Sequence, residues 1–412
     1  MKKSTRSPLF HEPSFSFSWL PEEILLNCLA RVSRSQYRSI SSLSKTFYYV
    51  LSSPAIYAAR SQIGTTEPRL YICCESLSTA TTTRSHGWYN LMSLRNCDER
   101  IEQGRDAFIS EDGREIKIKS ELMRLVPVKN SSFHLCARLK EANLAVGSEI
   151  YQIGGINKKG RRSRSVCVLD CRSHTQRRAP KMRVARESAK ACVLDGNIYV
   201  MGGCSENKEC WGEVFDLKTQ TWDEELPLPS PSGEDVFDCI FEVLVLGAKI
   251  YVITEHNKYA YDPKEGTWLL LDTGFAGLKS ILELGIVWCV VDNIVFKEFS
   301  DDLFWYDLSC GKWLVVEGLE DLLWDAKVNC RYRMIQLVNY GGKLVIVWVV
   351  LPDVIYRRSK PPVIPEERTW FAVIRLEKHL TSSGLAISGE IEQLNYLVHG
   401  SYNPLTCLSV SL

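Results

Sequence analysis

Cys167, Cys171 and His174 form a close grouping of metal-ligating side chains, and the chemistry they suggest is a bound transition metal. A closed site needs a second half with matching spacing, and the sequence offers none. The fifteen cysteines are an odd count, scattered, without the Cys-x-x-Cys form of a zinc ribbon or redox pair. They read as reduced, mostly buried thiols in a protein of the cytosol or nucleus. The seven histidines, at 11, 86, 134, 174, 256, 379 and 399, are widely separated. No catalytic set, metal or cofactor is expected from these residues.

The other candidate chemistry is charge. Asn157 to Ser165 carries Lys158, Lys159, Arg161, Arg162 and Arg164, and basic character continues through Arg172, Arg177, Arg178, Lys181, Arg183 and Arg186. An acidic stretch follows, with Glu206, Glu209, Glu213, Asp223, Glu224, Glu225, Glu234, Asp235 and Asp238. Over the whole chain the two signs cancel to a net charge of +1, which exerts no general pull toward nucleic acid or membrane. The local asymmetry has three readings: a surface selecting an acidic partner, a nuclear import signal, or solvated loops that balance one another.

The elements that must carry these loops are repeats. Asp216 to Trp222, Asp262 to Trp268 and Asp307 to Trp313 restate one Asp-x-x-x-x-x-Trp phrase at intervals of about 46 residues. Ahead of the phrases lie the strand-like runs at 148–155, 195–203, 247–253, 291–296 and 340–347, each opening on a turn of residues that tolerate positive φ. Gly154-Gly155 and Gly202-Gly203 end two of these strands, where the backbone can approach a neighbouring strand that side chains would hold away. Several short strands per unit, at a period in the forties, predict stacked blades of a β-propeller.

A Gly-Gly pair after a strand, then an aspartate with a tryptophan six residues on, resembles the kelch repeat. The match is good over 140–316 and positional over 65–130 and 332–400. Asp170 and the aspartates and tryptophans of the three phrases, Asp216, Trp222, Asp262, Trp268, Asp307 and Trp313, take the structural positions of that repeat, with the tryptophans packing between blades. Departures occur at Gln176, which replaces the tryptophan after Asp170, at Thr254-Glu255, which replaces Gly-Gly, and in an insert at 352–368 ahead of Trp370. Those blades are expected to be less regular, and the Pro-rich insert to be a loop able to bind. About six blades are predicted over 65–412, with 95–135 left as room for a seventh.

The first sixty residues differ. Residues 1–14 are basic, contain Ser and Pro, and read as a disordered tail rather than a secretory signal. Leu344 to Leu351 is too short to span a bilayer, so a soluble protein is expected. Leu20-Pro21-Glu22-Glu23-Ile24 opens a helix with proline in its first turn and two acids at its positive end. A second helix is expected through Ile40, Leu43, Phe47, Val50 and Leu51, and a third capped by Ser53-Pro54. Three such helices bury too little area to be self-sufficient.

Leu-Pro-x-Glu-Ile, with Cys28, Leu29 and Val32 in helical register and Leu43 to Phe47 behind, resembles an F-box over residues 15–60. Placed ahead of kelch units, it is similar to the plant F-box/kelch-repeat family. The resemblance implies a substrate-recognition adaptor of an SCF-type cullin-RING ubiquitin ligase, acting in cytoplasm or nucleus without catalysis of its own. Leu20, Pro21, Ile24, Leu25, Leu29 and Val32 would anchor a Skp-type adaptor, which leads to cullin and RING protein, while Phe47 and Leu51 fill the module's own core. The propeller would hold an unknown protein target, with the loop of Lys158, Lys159, Arg161, Arg162 and Arg164 as its candidate contact for an acidic degron. Neither membrane nor nucleic acid is expected as a partner. The alternatives are a kelch scaffold without a ligase role, and a kelch-fold copper oxidase.

Overall fold

The computed structural model describes residues 20–77, 84–93, 107–109, 115–117, 120–128, 141–157, 159–204, 211–227, 240–254, 257–271, 287–299, 302–320, 322, 335–350, 368–382, 384–398 and 402–412. The chain divides into two compact units at Glu67/Pro68, with Leu412 counted in the first.

The first unit is helical. Pro21 stands just ahead of α1 (Glu22–Ala30), at the cap and not inside the first turn, and Glu22 and Glu23 complement the positive end of the helix. The single second helix expected through Ile40 and Leu51 is divided into α2 (Tyr37–Ser41) and α3 (Lys45–Ser52). Ser44 causes the break: its backbone is extended and its hydroxyl accepts the Phe47 N–H at 3.2 Å, which starts a new helix. Ser53 was expected to cap α4 (Ala55–Gln62), yet its hydroxyl donates to Val50 O at 2.9 Å and closes α3, leaving α4 without a side-chain cap. The unit therefore has four helices where three were expected.

These helices enclose Leu25, Leu29, Ala30, Val50, Leu51, Ile56 and Ala59, with Phe47 and Tyr37 packed at the margin. Arg60, 1% exposed, completes the unit by donating to Ala30 O at 3.1 Å, Val32 O at 2.7 Å and the Tyr37 hydroxyl at 3.0 Å. With the Thr65 hydroxyl, which also donates to Ala30 O at 2.8 Å, it supplies donors to carbonyls at and just beyond the end of α1.

The second unit is built from strands. The first blade contains β1 (Pro68–Leu77) and β2 (Arg84–Ser93); a small hairpin of β3 (Ala107–Ile109) and β4 (Glu115–Lys117) precedes its outer strand, β5 (Ser120–Pro127). Four-stranded antiparallel sheets follow. The second holds β6 (Glu141–Val146), β7 (Glu149–Gly154), β8 (Val166–Asp170) and β9 (Thr175–Ala179), and the third holds β10 (Lys190–Leu194), β11 (Asn197–Met201), β12 (Gly212–Asp216) and β13 (Thr221–Leu226). The fourth holds β14 (Ile240–Leu246), β15 (Lys249–Thr254), β16 (Lys258–Asp262) and β17 (Thr267–Leu270), and the fifth holds β18 (Val287–Val291), β19 (Ile294–Phe299), β20 (Asp302–Asp307) and β21 (Lys312–Val315). The sixth holds β22 (Ile335–Tyr340), β23 (Lys343–Val350), β24 (Arg368–Thr381) and β25 (Gly384–Val398).

The last strand, β26 (Tyr402–Ser411), returns to pair with β1, so the first blade runs β26-β1-β2-β5 and contains both ends of the strand-built unit. The result is a six-bladed β-propeller. Of the stretch reserved for a seventh blade, the described residues hold only the β3–β4 hairpin and β5, which completes the first blade. A second seam joins blades one and six, because β25 pairs in parallel with β5 from Leu394↔Ser120 to Tyr396↔Leu122.

Stacking supplies the core that no blade has alone. Tyr151, Ile153 and Val168 of the second blade meet Ile198, Val200 and Phe215 of the third, and comparable clusters join later neighbours. The turns between first and second strands are two-residue hairpins with positive φ, at +48° and +79° in Asp195-Gly196 and +47° and +61° in Asp292-Asn293. The second blade was expected to suffer from Gln176, but its strands pair without a register shift. Gln176 lies on the outermost strand, where the side chain takes no part in the ladder, so the substitution costs contacts rather than pairing.

Candidate docking surfaces

The α1 helix presents two faces. Leu25 and Leu29 are 4% and 6% exposed and belong to the unit's own core, so they are not surface anchors as grouped from sequence. Leu20 and Ile24 are 38% and 50% exposed, Pro21 is exposed beside them, and Val32 is half-buried. The reason is helical geometry: Leu25 and Leu29 are four apart and share the inward stripe, whereas Ile24 is turned 100° from Leu25. Leu43, Tyr48 and Tyr49 add a further exposed apolar set, around an open hollow lined also by Ser41, Ser42, Ser44 and Lys45. Sequence periodicity had placed Leu43 on an inward face, and the helix break at Ser44 turns it out.

In the propeller, the repeat residues build turns and blade contacts. Asp216 Oδ1 accepts the N–H groups of Lys218 and Thr219 at 2.6 and 2.9 Å, Asp262 Oδ1 that of Lys264 at 3.1 Å, and Asp307 Oδ1 that of Ser309 at 2.8 Å. Asp170 does the same for Arg172 N at 2.9 Å and also binds its guanidinium. Each aspartate is thus the first residue of an Asx-type turn between third and fourth strands. Six residues on, Trp222, Trp268 and Trp313 are half-buried and lie 5.0, 4.7 and 5.0 Å, ring to ring, from Phe215, Tyr261 and Tyr306. The indole N–H of Trp222 reaches Pro180 O at 2.9 Å, and that of Trp268 reaches Pro227 O at 2.7 Å, which ties each to the connector arriving from the preceding blade.

Gly154, Gly155, Gly202 and Gly203 all have φ between +68° and +81°. A Cβ on Gly154 would lie 2.7 Å from Arg186 O, and one on Gly203 2.5 Å from Glu187 O, so these two are crowded by the connector between blades two and three, whereas one on Gly202 would lie 2.9 Å from the Ile240 side chain at the start of β14. That connector carries Arg186, counted from sequence among surface cations. It is 0% exposed and bound to the equally buried Glu213, which had been counted with the acidic loops. The guanidinium also donates to Gly202 O at 2.8 Å and Trp211 O at 3.0 Å, while Glu213 accepts Arg183 N at 2.6 Å and Val184 N at 3.1 Å. The pairing was not legible in sequence, where the two residues fall in opposite charge runs.

The basic loop divides along the same lines. Arg172 is paired with Asp170 and Arg177 with Glu149 at one end of the second blade. At the other end, Lys159, Arg161, Arg162, Arg164, Lys181 and Arg183 are exposed, as is Arg178 next to Arg177 within β9. Lys158 lies outside the described residues, as do Glu206, Glu209, Glu234, Asp235, Asp238 and the insert at 352–367.

The metal-like grouping does not converge. His174 Nε2 is 3.1 Å from the Tyr71 hydroxyl, Cys171 is buried, and among the described residues no three potential ligands gather. Burial pushes the Cys289 and Cys407 thiols up to about 12, so neither forms a thiolate near neutral pH. No helix among the described residues is long and apolar enough to cross a membrane.

Comparison with known proteins agrees with this architecture. The F-box domain family matches residues 17–58, and the family described as FKB95, Kelch-repeats domain matches residues 105–398. A putative F-box/kelch-repeat protein of Arabidopsis thaliana is 43% identical over 412 residues, covering 97% of this chain and 94% of the relative. Two further F-box/kelch-repeat proteins of Arabidopsis thaliana are 36% and 34% identical, covering 96% and 100% of this chain and 93% and 97% of their own lengths. With a helical unit at residues 20–67 and six kelch-type blades behind it, the chain belongs to the F-box/kelch-repeat family, whose architecture is that of a substrate adaptor.

Proposed function

We propose that the protein is the substrate-recognition subunit of an SCF-type cullin-RING ubiquitin ligase. Its helical unit docks a Skp-type adaptor and through it the cullin and RING protein, and its propeller holds a protein target for ubiquitination. The observation that carries this reading is the outward set of Leu20, Pro21 and Ile24 on a helix whose other face is fully used inside. Three apolar residues exposed together at a helix start cost hydration energy in the free protein, and burial in a partner's groove recovers it. Val32 of the same unit is half-buried, and Leu43, Tyr48 and Tyr49 form a second exposed apolar set in it.

On this reading the chain performs no chemistry. It raises the effective concentration of a target near a ubiquitin-charged enzyme, and it works in cytoplasm or nucleus, where ubiquitin ligases of this class act. The decisive experiment is affinity capture of the full chain from plant extract, with a Skp-type adaptor expected among the retained proteins. Leu20→Asp with Ile24→Asp should abolish that retention and leave the propeller folded. Retention that survives the double change removes the assignment of these residues, and absence of any adaptor favours a scaffold without a ligase role.

A further inference from the structure

We infer that the basic end of the second blade is a docking surface for an extended, carboxylate-rich segment of a protein target; this rests on the adaptor reading above and specifies its target class. The β7 and β9 strands run in the same direction, so the 155–165 loop and the 180–189 connector leave the blade at the same end. There they lie side by side: Met182 N donates to Arg164 O at 3.0 Å, Arg186 N donates to Ser163 O at 3.0 Å, and Arg164 Nε donates to Met182 O. This brings Lys159, Arg161 and Arg162 together with Lys181 and Arg183 on one exposed surface, although the two groups are about twenty residues apart in sequence.

These five cations have no carboxylate partner among the described residues, whereas Arg172, Arg177 and Arg186 of the same run each have one. Uncompensated cations clustered on one surface create a local potential that attracts an anionic partner and repels a basic one.

The form of the anion follows from the backbone. A compact phosphate site uses converging N–H groups, as in a nest or helix start. Here those donors are already engaged within the loop: Asn157 Oδ1 accepts Lys159 N at 2.9 Å and Arg161 N at 3.1 Å, and Gly160 N and Ser163 N donate to Asn157 O and Gly155 O, each at 2.9 Å. Recognition therefore falls to long side chains spread along a hairpin and its neighbouring connector. That arrangement suits a line of Asp and Glu carboxylates in an extended chain better than one concentrated dianion.

The test uses the full-length protein and a fluorescent peptide in which Asp and Glu alternate with Gly and Ser, read by anisotropy across a salt series. A phosphoserine peptide and an oligothymidylate of equal formal charge are the comparison probes. The acidic peptide is expected to bind, to weaken as salt rises, and to lose at least tenfold in affinity in the Lys159→Glu, Arg161→Glu, Arg162→Glu variant. Among the described residues those side chains make no hydrogen bond or ion pair, and an unchanged melting curve checks that the fold is preserved. Arg172→Ala, at the other end of the blade, should leave binding unchanged. The inference is overturned by no binding, by equal binding in the triple variant, by much tighter phosphopeptide binding, or by preference for the oligonucleotide. Skp-type adaptor capture, measured separately on the same variants, distinguishes failure here from failure of the ligase reading.

Discussion

Arg186 Nη2 lies 3.0 Å from Glu213 Oε1 with both side chains fully buried, and the pair joins the connector between blades two and three to the third strand of the third blade. Removing one member leaves a buried charge without solvent or its counter-charge. Glu213→Ala should therefore cost about 3–5 kcal/mol of propeller stability, whereas Arg172→Ala, which breaks an exposed pair, should cost about 1 kcal/mol or less. Replacing both buried partners by Leu and Met should recover only part of the loss, since Gly202 O also loses the guanidinium donor and the Arg183 and Val184 N–H groups lose their carboxylate acceptor. Denaturant midpoints of the variants give the comparison, and equal costs for Glu213→Ala and Arg172→Ala would show that the buried pair is not a stabilising junction.

The two faces of α1 make distinct predictions. Leu25→Asp buries a charge inside the helical unit and should unfold it, which far-ultraviolet circular dichroism would register as lost helix. Ile24→Asp changes an exposed position and should preserve helix content. If Ile24→Asp also melts the unit, the division of the helix into an inner and an outer face is wrong.

The turn aspartates predict a response to acid. Hydrogen bonds from Thr219 and Lys218 N–H groups hold Asp216 below the usual carboxylate range, and those from Ser309 do the same for Asp307. Burial pushes Asp262 and Asp170 up, but hydrogen bonds, led by Lys264 N–H in one and the Arg172 guanidinium in the other, outweigh it and both end lower. A carboxyl whose folded pKa lies below its unfolded value stabilises the fold above the unfolded pKa, about 4, and that stability is lost as pH falls through the folded value. Melting temperatures should thus be level near neutrality on this account and decline in acid. Combining Asp216→Asn, Asp262→Asn and Asp307→Asn keeps an acceptor oxygen in each turn while removing the titration, so the acid decline should become shallower. An equally steep decline would place its cause elsewhere.

Gln176 stands opposite Leu169 in the register where Trp222, Trp268 and Trp313 stand opposite Phe215, Tyr261 and Tyr306. Its Nε2 is buried without a hydrogen-bond partner. Gln176→Leu removes that unsatisfied donor and adds apolar contact with Leu169, and should raise stability by about 1 kcal/mol. A fall in the denaturant midpoint would mean that the amide makes a favourable contribution at this site.

Much of the architecture was written in local patterns. The Asp-to-Trp spacing marked the turn and outer strand of three blades, because an Asx turn and the tryptophan that packs beyond it are set by residues a few positions apart. The helical start at Leu20-Pro21 was equally local. The fourth helix was missed since the apolar spacing continues through Ser44, and only the backbone choice made by that side chain separates α2 from α3. The closing strand β26 was missed because its partner β1 lies more than three hundred residues away, beyond the reach of any periodicity.

The sequence by itself determined a helical module followed by repeated four-stranded units, since propensity, turn residues and hydrophobic period act over short distances. Tertiary structure alone decided which charges remain available. It buried Arg186 against Glu213, paired Arg172 and Arg177 at one end of a blade, and left Lys159, Arg161 and Arg162 exposed at the other. It likewise turned Leu25 and Leu29 inward and Ile24 outward. Burial depends on which distant segments arrive beside a side chain, and that is fixed only when the blades and helices have packed.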